Sequence, residues 1–426
     1  MVALHDQIYS VYVEILEREL MPAMGCTEPI AYGAAKAREL LGKEPDCVNI
    51  YASGNIIKNV KSVTVPNTDG LKGLEAAAAA GIVAGVSSKE LEVISTVSPE
   101  QKEEIRRFLS KDKITIGIAS SDLVLDILIE EYGGKDCARV RITNYHTHIA
   151  LLEKNGVSLL NDELMQEEVK NESEQADLLN VDDIIAFADI CDLNDVKQTL
   201  DRQITYNTAI AEDGLNNLYG ASVGRTILEN FDAHDVMVRA VAKAAAGSDA
   251  RMSGCDMPVI INSGSGNQGI TVSVPVIEYA KTYHIAEDKL YRALLVSNLM
   301  SIHQKKKIGS LSAFCGAVSA GCAAAAGIDY LMGGDRNEIA HTFVNGMAVN
   351  SGLICDGAKP SCAAKIASSV YCGLLAMTMS KCRRQFYGGD GIVKKGIENT
   401  INSVGRLGKD GMKETDREIL QIMIEK

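Results

Sequence analysis

The 426-residue chain carries 43 Lys and Arg against 56 Asp and Glu, a net charge of −13. That balance excludes the broad basic surface a nucleic-acid partner needs. With 46% hydrophobic and 23% charged residues the composition is globular, long enough for two or three lobes, and with 37 Gly and no Trp its cores should pack through small side chains.

The elements follow in chain order. Residues 6–20 are amphipathic and predict a helix, and the N-terminus lacks the apolar stretch of a signal peptide, so a cytoplasmic protein with reduced cysteines is expected. In "MPAMGCTEPIAYGAAKARELLG", Pro22 opens a loop. Thr27 stands where it can cap a helix with Glu28 and Pro29 in its first turn; that helix runs to about Leu41 and Gly42 ends it. "CVNIYASGNIIKNVKSVTVP" is rich in Val and Ile and predicts strands, and "GLKGLEAAAAAGIVAG" a small-residue helix. "LEVISTV" and "KITIGIA" read as strands around a helix that starts after Ser98-Pro99. "ARVRITNYHTHIALLEKNGVSLL" predicts a β-hairpin turning at Asn155-Gly156.

Residues 161–190 are acidic and polar and predict a linker or a surface helical excursion. Beyond residue 190 strand signals nearly vanish, and helical patterns alternate with "AAAGSDARMSGCDMP", "NSGSGNQG", "QKKKIGS" and "GLICDGAKPSC". The uncharged stretch 308–328 is dominated by Gly, Ala and Ser and predicts a buried helix rather than a membrane span. The expected class is α+β: a mixed strand and helix lobe at 1–190 and a mainly helical lobe at 191–426.

Five places carry candidate chemistry. Cys355 and Cys362 sit seven apart in a loop with Gly, Pro and Asp, and Cys315 lies forty residues before Cys355 in "SAFCG". Inert thiols, a zinc site, a catalytic thiol and an iron–sulfur cluster all stay open, although no Cys-x-x-Cys supports a redox or zinc-ribbon motif. Cys322, before "AAAAG", reads as core; Cys47, Cys137, Cys191, Cys372 and Cys382 lack a flanking signal, and Cys255 is ambiguous. In Asn262-Ser263-Gly264-Ser265-Gly266-Asn267-Gln268 the glycines permit close ligand approach and exposed amides suit an oxyanion, while the alternative is an ordinary glycine-rich turn. Cys26 stands before a helix N-terminus, where the dipole favours a thiolate or a bound carboxylate, and a structural thiol is equally compatible. His146 and His148 alternate in a predicted strand, as metal ligands or polar hairpin residues, and Lys305-Lys306-Lys307 is a solvated face or an anion site.

Taken in order, "MPAMGCTEPIAYGAA", "NVKSVTVPNTDGLKG", "INSGSGNQGI", "KKKIGSLSAFCG" and "SGLICDGAKPSC" resemble the L-cysteine desulfidase family, a relative of the iron–sulfur L-serine dehydratases, over nearly the whole chain. The resemblance implies a [4Fe-4S] cluster held by Cys315, Cys355 and Cys362, one iron left open, Cys26 as an active-site base, and substrate contacts from Thr27, Glu28 and the 262–268 loop. The Ser-Ser-Ser-His-Thr motif of the serine enzymes is missing, with "GCTEP" in its place, and the final "IMIEK" carries no cysteine. The expectation is therefore α,β-elimination of L-cysteine to sulfide, pyruvate and ammonia. An iron–sulfur serine deaminase, a pyridoxal-phosphate lyase and a non-enzymatic iron–sulfur sensor are the alternatives. The expected partner is a small amino acid, with no nucleic acid and no membrane; a homo-oligomer is allowed.

Overall fold

The computed structural model describes residues 6–121, 123–160, 175, 177–309 and 311–425. Most of the first half of the expected linker, 161–174, and residue 176 lie outside the described residues. The chain opens with α1 (Asp6–Glu19), β1 (Pro22–Ala23), α2 (Glu28–Leu41), β2 (Cys47–Ala52), α3 (Gly54–Val60), α4 (Gly73–Ala84) and α5 (Pro99–Leu109). Then come β3 (Ile114–Ile118), β4 (Asp126–Gly133), β5 (Asp136–Thr143), β6 (Ile149–Lys154) and β7 (Val157–Ser158). These last five strands and β2 form one sheet in the order β3-β2-β4-β5-β6-β7, parallel between β2 and β3 and antiparallel elsewhere.

Alternate residues Ile127 and Ile129 of β4 and Val140 and Ile142 of β5 point to one buried face, as the two-residue period of a strand requires. Helix α2 covers that face, with Gly33 against Ile129 and Ile142. Helix α4 closes on α2 through a run of fully buried alanines, Ala77–Ala80. At the crossing, a Cβ on Gly81 would lie 2.2 Å from the Ala31 carbonyl oxygen.

Five stretches depart from the sequence expectation: Val181–Ile190, expected as linker or surface excursion, is a helix with Ile184 and Phe187 fully buried, the 308–328 stretch is helical beyond Ile308 only from Gly316 onward, and three lie in the first half. "NIIKNV" is helix α3, because the Ser53 hydroxyl accepts the Ile56 amide as an N-cap. "LEVISTV" is a 3-10 turn and loop whose Val93 and Ile94 are fully buried, so its apolar pattern records burial and not a strand. The turn between β5 and β6 holds His146 and His148, which therefore do not share a strand face. Strand β4, unanticipated with its Glu130-Glu131 pair, is central; Glu130 is held by Arg139 at 2.9 Å. The Asn155-Gly156 turn joins β6 to β7 with φ of 52° and 82°, the geometry of a tight hairpin.

The second half contains α6 (Val181–Ile190), α7 (Lys197–Asn216), α8 (Val223–Asn230), α9 (Val236–Met252), β8 (Val259–Ile260), α10 (Gly266–Thr282), α11 (Glu287–Ile308) and α12 (Gly316–Leu331). It ends with α13 (Arg336–Asn350), α14 (Cys362–Lys381), α15 (Ile397–Arg406) and α16 (Lys413–Ile424). The architecture is α+β, a mixed sheet in the N-terminal part and a helical C-terminal region. Helix α12 is packed on several sides through small residues: Gly321 meets Ser369 of α14, and Gly327 meets Ala293 and Ser297 of α11. Cys322 is fully buried and touches Gly346 of α13. Helices α1 and α6 join this helical core, where Tyr12 and Phe187 pack edge to face at 5.4 Å. By length and composition α14 could cross a membrane. Here its Ile366, Val370 and Leu374 are buried in the helical core.

Gly81→Ala should destabilise the fold by roughly 1–3 kcal/mol, because the Ala31 backbone that it meets cannot swing aside. Gly352→Ala, with open space around the added Cβ, serves as the control. Equal urea midpoints for the two variants would show that the α2–α4 crossing has room to spare.

Candidate active site

Strands β1 and β8 pair antiparallel, Pro22 with Ile260 and Ala23 with Val259, and the Ile261 amide donates to Met21 O at 2.9 Å. This short ladder sets the start of "GCTEP" beside the start of "NSGSGNQG". From there one segment turns into α2 and the other into α10. In the second loop Ser263 and Gly264 take φ of 51° and 75°, which closes a turn in which Asn262 and Ser265 exchange both backbone hydrogen bonds at 3.1 Å. The Ser265 hydroxyl then caps α10 by accepting the Gln268 amide.

A second pair of segments approaches from the helical side. Phe314 and Ile354 form an antiparallel bridge, with Cys315 N donating to Leu353 O at 3.0 Å and Cys355 N to Ala313 O at 2.6 Å. Cys315 is the N-cap of α12, and Cys362 is the first residue of α14. The 355–362 loop is wedged against α3: a Cβ on Gly357, at φ +92°, would fall 2.2 Å from Lys58 O. Lys58 is in turn ion-paired with Asp416 of α16, so the C-terminal helix braces the same contact.

These segments enclose a cavity of about 140 Å³ lined by Cys26, Cys315, Cys355 and Cys362 together with His146, Arg251, Lys305 and Lys365. Of the predicted loop, Ser263, Gly264, Ser265, Asn267 and Gln268 line it. Asn262 instead points away, its side-chain amide donating to Asn298 Oδ1 at 3.0 Å, and Gly266 lies under the Arg251 guanidinium. Thr27 and Glu28 are fully buried behind Cys26 and do not line the cavity. Thr27 occupies the N-cap position of α2, but its hydroxyl makes no cap bond and has no partner. Cys255 is elsewhere, its thiol 3.5 Å from Asp213 Oδ2.

The Lys305–Lys307 run divides. Lys306 and Lys307 pair on the surface with Glu19 at 3.2 Å and Asp177 at 3.3 Å. Lys305 is buried, and desolvation lowers its pKa to about 8 although the Cys355 and Cys315 thiols oppose that shift. Sequence reasoning missed Arg251 and Lys365. A signal for Arg251 exists: it and Asp249 are the charges at the end of a helix whose preceding residues, Ala244 to Ser248, are all small. Arg251 Nη1 donates to Cys26 Sγ at 3.4 Å. Lys365 is ion-paired with Asp356. His146, desolvated and beside the cations Arg251 and Lys305, has its pKa lowered to about 4 and is neutral at physiological pH.

Burial raises the thiol pKa of Cys315 to about 12 and of Cys362 to about 11, and Cys355 opposes ionisation of both. A metal group must displace these protons, and the starts of α12 and α14 supply the dipole that favours the resulting thiolates. Among the described residues, no three His, Cys, Asp or Glu side chains converge tightly enough for a single ion. A polynuclear cluster binds its thiolates to different irons, and Cys315, Cys355 and Cys362 all line the one cavity. The all-sulfur donor set fits iron–sulfur chemistry.

Residues 88–421 match the family described as serine dehydratase alpha chain. The chain is 56% identical over 421 residues to a UPF0597 protein of Desulfitobacterium hafniense (strain Y51), covering 98% of this chain and 97% of that one. It is 48% identical over 419 residues to a UPF0597 protein of Lachnoclostridium phytofermentans, covering 98% of this chain and all of that one. A UPF0597 protein of Fusobacterium nucleatum is 43% identical over 417 residues, 96% and 98% of the two chains.

The Glu28 carboxyl is fully buried, and desolvation raises its pKa to about 7 against the pull of Arg251 and of the backbone amides of Glu28, Gly25 and Thr27. The folded state therefore holds a proton that the unfolded chain releases near its ordinary pKa. This contribution to stability is full below that ordinary value and is lost as pH rises through about 7. Glu28→Gln removes the ionisation while keeping the shape. Its urea midpoint should vary less with pH than wild type, and above neutrality the variant should gain on the order of 2 kcal/mol. Parallel pH curves for the two proteins would show that Glu28 titrates normally.

Proposed function

The chain belongs to the serine dehydratase alpha chain family, and from that premise we propose that it is a lyase eliminating hydrogen sulfide from L-cysteine, with pyruvate and ammonia as the other products. The observation that carries this reading is the meeting in one cavity of three thiols from the helical side, Cys315, Cys355 and Cys362, with a fourth, Cys26, from the start of α2. The three fit a [4Fe-4S] cluster, which when bound would supply a Lewis-acidic iron for the departing sulfur.

The chain's own residues would do the rest. Cys26, as thiolate, takes the α-proton; the C–H electron pair becomes the Cα–Cβ double bond and the C–S pair leaves with sulfur. The aminoacrylate so formed tautomerises and is hydrolysed by water to pyruvate and ammonia. Arg251, donating to Cys26 Sγ at 3.4 Å, holds that sulfur at the cavity wall where the base is needed. Neutral His146 and the apolar lining from Ile30, Ile261 and Phe314 limit water around the reacting carbons. Cysteine is preferred over serine because "GCTEP" stands where the serine enzymes look to carry Ser-Ser-Ser-His-Thr. Elimination of water from L-serine is the second reading, supported by the description of the matched family.

Cys315→Ser, Cys355→Ser and Cys362→Ser should each lose most of the iron of anaerobically reconstituted protein and all sulfide release from L-cysteine, while Cys322→Ala keeps both. Iron retained in all three would sink the ligand assignment, and faster pyruvate formation from L-serine than from L-cysteine would favour the second reading. Cys26→Ser should keep its iron yet lose turnover by roughly 100-fold or more, the scale of a general base. Near-normal turnover would move the base elsewhere; iron loss would make Cys26 a ligand.

A further inference from the structure

We propose that Arg251 anchors the carboxylate of the amino-acid substrate, with the side-chain oxygens of Gln268 and Asn267 receiving its ammonium. This rests on the reading that the cavity takes an amino acid, and it assigns the two ends of that ligand to named side chains.

Arg251 is 3% exposed, and a guanidinium keeps its charge at any working pH. A buried charge without a counter-charge is costly. Among the described residues no Asp or Glu forms an ion pair with Arg251, although the Glu28 carboxyl behind Cys26 feels its charge, and its hydrogen bond is the one to the Cys26 sulfur. Its Nε is buried with no acceptor at all. The side chain is nevertheless held firmly, since Gly266 is stacked so closely that a Cβ there would come 2.3 Å from Nε. A fixed guanidinium at the wall of a cavity, whose one hydrogen bond goes to a sulfur and whose Nε has no acceptor, marks the place of an absent acceptor.

The neighbouring wall shows the opposite vacancy. Gln268 Oε1 and Asn267 Oδ1 are buried and accept no hydrogen bond. Both residues line the cavity, and Gln268 is only 4% exposed. One orphaned donor group and two orphaned acceptors complement a zwitterion, whose carboxylate accepts and whose ammonium donates. No Asp or Glu is among the described residues lining the cavity, so its charged walls are cationic around the thiols.

The other two cations are committed elsewhere. Lys365 is paired with Asp356, and Lys305 faces Cys355 and Cys315 on the cluster side. Arg251 is the cation on the Cys26 side. A carboxylate held there has its α-carbon one bond away, beside the Cys26 sulfur, and its side chain free to extend toward Cys315, Cys355 and Cys362.

L-Alanine and L-alaninamide test this by calorimetry on the anaerobically purified protein. Neither has a leaving group, so binding is read apart from elimination. Wild type should bind alanine about 10- to 100-fold more tightly than alaninamide, the range for a hydrogen bond to a charged group. Arg251→Gln should reduce that preference to within about threefold, while Lys305→Gln keeps it. Arg251→Lys retains the charge without the fork and should show an intermediate preference; it carries the test if the Gln variant does not fold. An undiminished preference in Arg251→Gln, its loss in Lys305→Gln, or a wild type that does not distinguish the two ligands would overturn the assignment. A protein that binds alanine through Arg251 yet releases no sulfide from cysteine keeps the anchor and loses the desulfidase reading.

Discussion

The site hangs on two backbone pairs. Pro22 with Ile260 and Ala23 with Val259 are the whole of the β1–β8 ladder, yet they bring together segments more than 230 residues apart in the chain. Everything beyond them is short and stiff. Cys26 follows Ala23 by three residues, and the Asn262–Ser265 turn follows Ile260 at once. With so little free chain after the ladder, the base and the glycine-rich loop have few positions to choose from, so the ordering entropy is met by the fold and not at substrate binding.

Close approach of backbones is the second constraint. Where the two halves meet, Gly357 admits the Lys58 carbonyl; where α10 crosses β8, Gly269 admits Ile260 O, which an added Cβ would approach to 1.9 Å. Under Arg251 it is Gly266. A chain without Trp and with few Phe builds its contacts from such crossings, and their tolerance is small because neither backbone can rotate away as a side chain could. The cavity walls inherit that rigidity.

Charge is distributed against the average. The chain as a whole is acidic, whereas the cavity presents Arg251, Lys305 and Lys365 and no carboxylate among its described lining residues. Three of its four thiols lie at or just before the starts of α2, α12 and α14. Helix N-termini and cations act in the same direction there, lowering the cost of placing several negative sulfurs and an anionic substrate in one small volume. Glu28, the buried acid behind Cys26, is held protonated into the neutral range by the same desolvation that makes those cations effective.

The α+β class, the helices at 6–20, after Thr27 and after Ser98, the Asn155-Gly156 turn and, through the family resemblance, the grouping of Cys315, Cys355 and Cys362 were legible in the sequence, because each depends on local periodicity, turn chemistry or a recurring motif. β4 was not legible: its consecutive glutamates disfavour a strand by themselves, and pairing with β2 and β5 decided it. Nor was α3, where one Ser53 cap outweighs the β-branched residues that follow. Asn262 shows the limit within a motif, since burial against Asn298 turns it from the cavity that its neighbours line. Arg251, Lys305 and His146 came from three unrelated stretches, and a charge in a linear sequence carries no record of which thiol it will face. Local chemistry is written residue by residue, whereas a binding site is a set of distances across the fold, and only the packed structure supplies those.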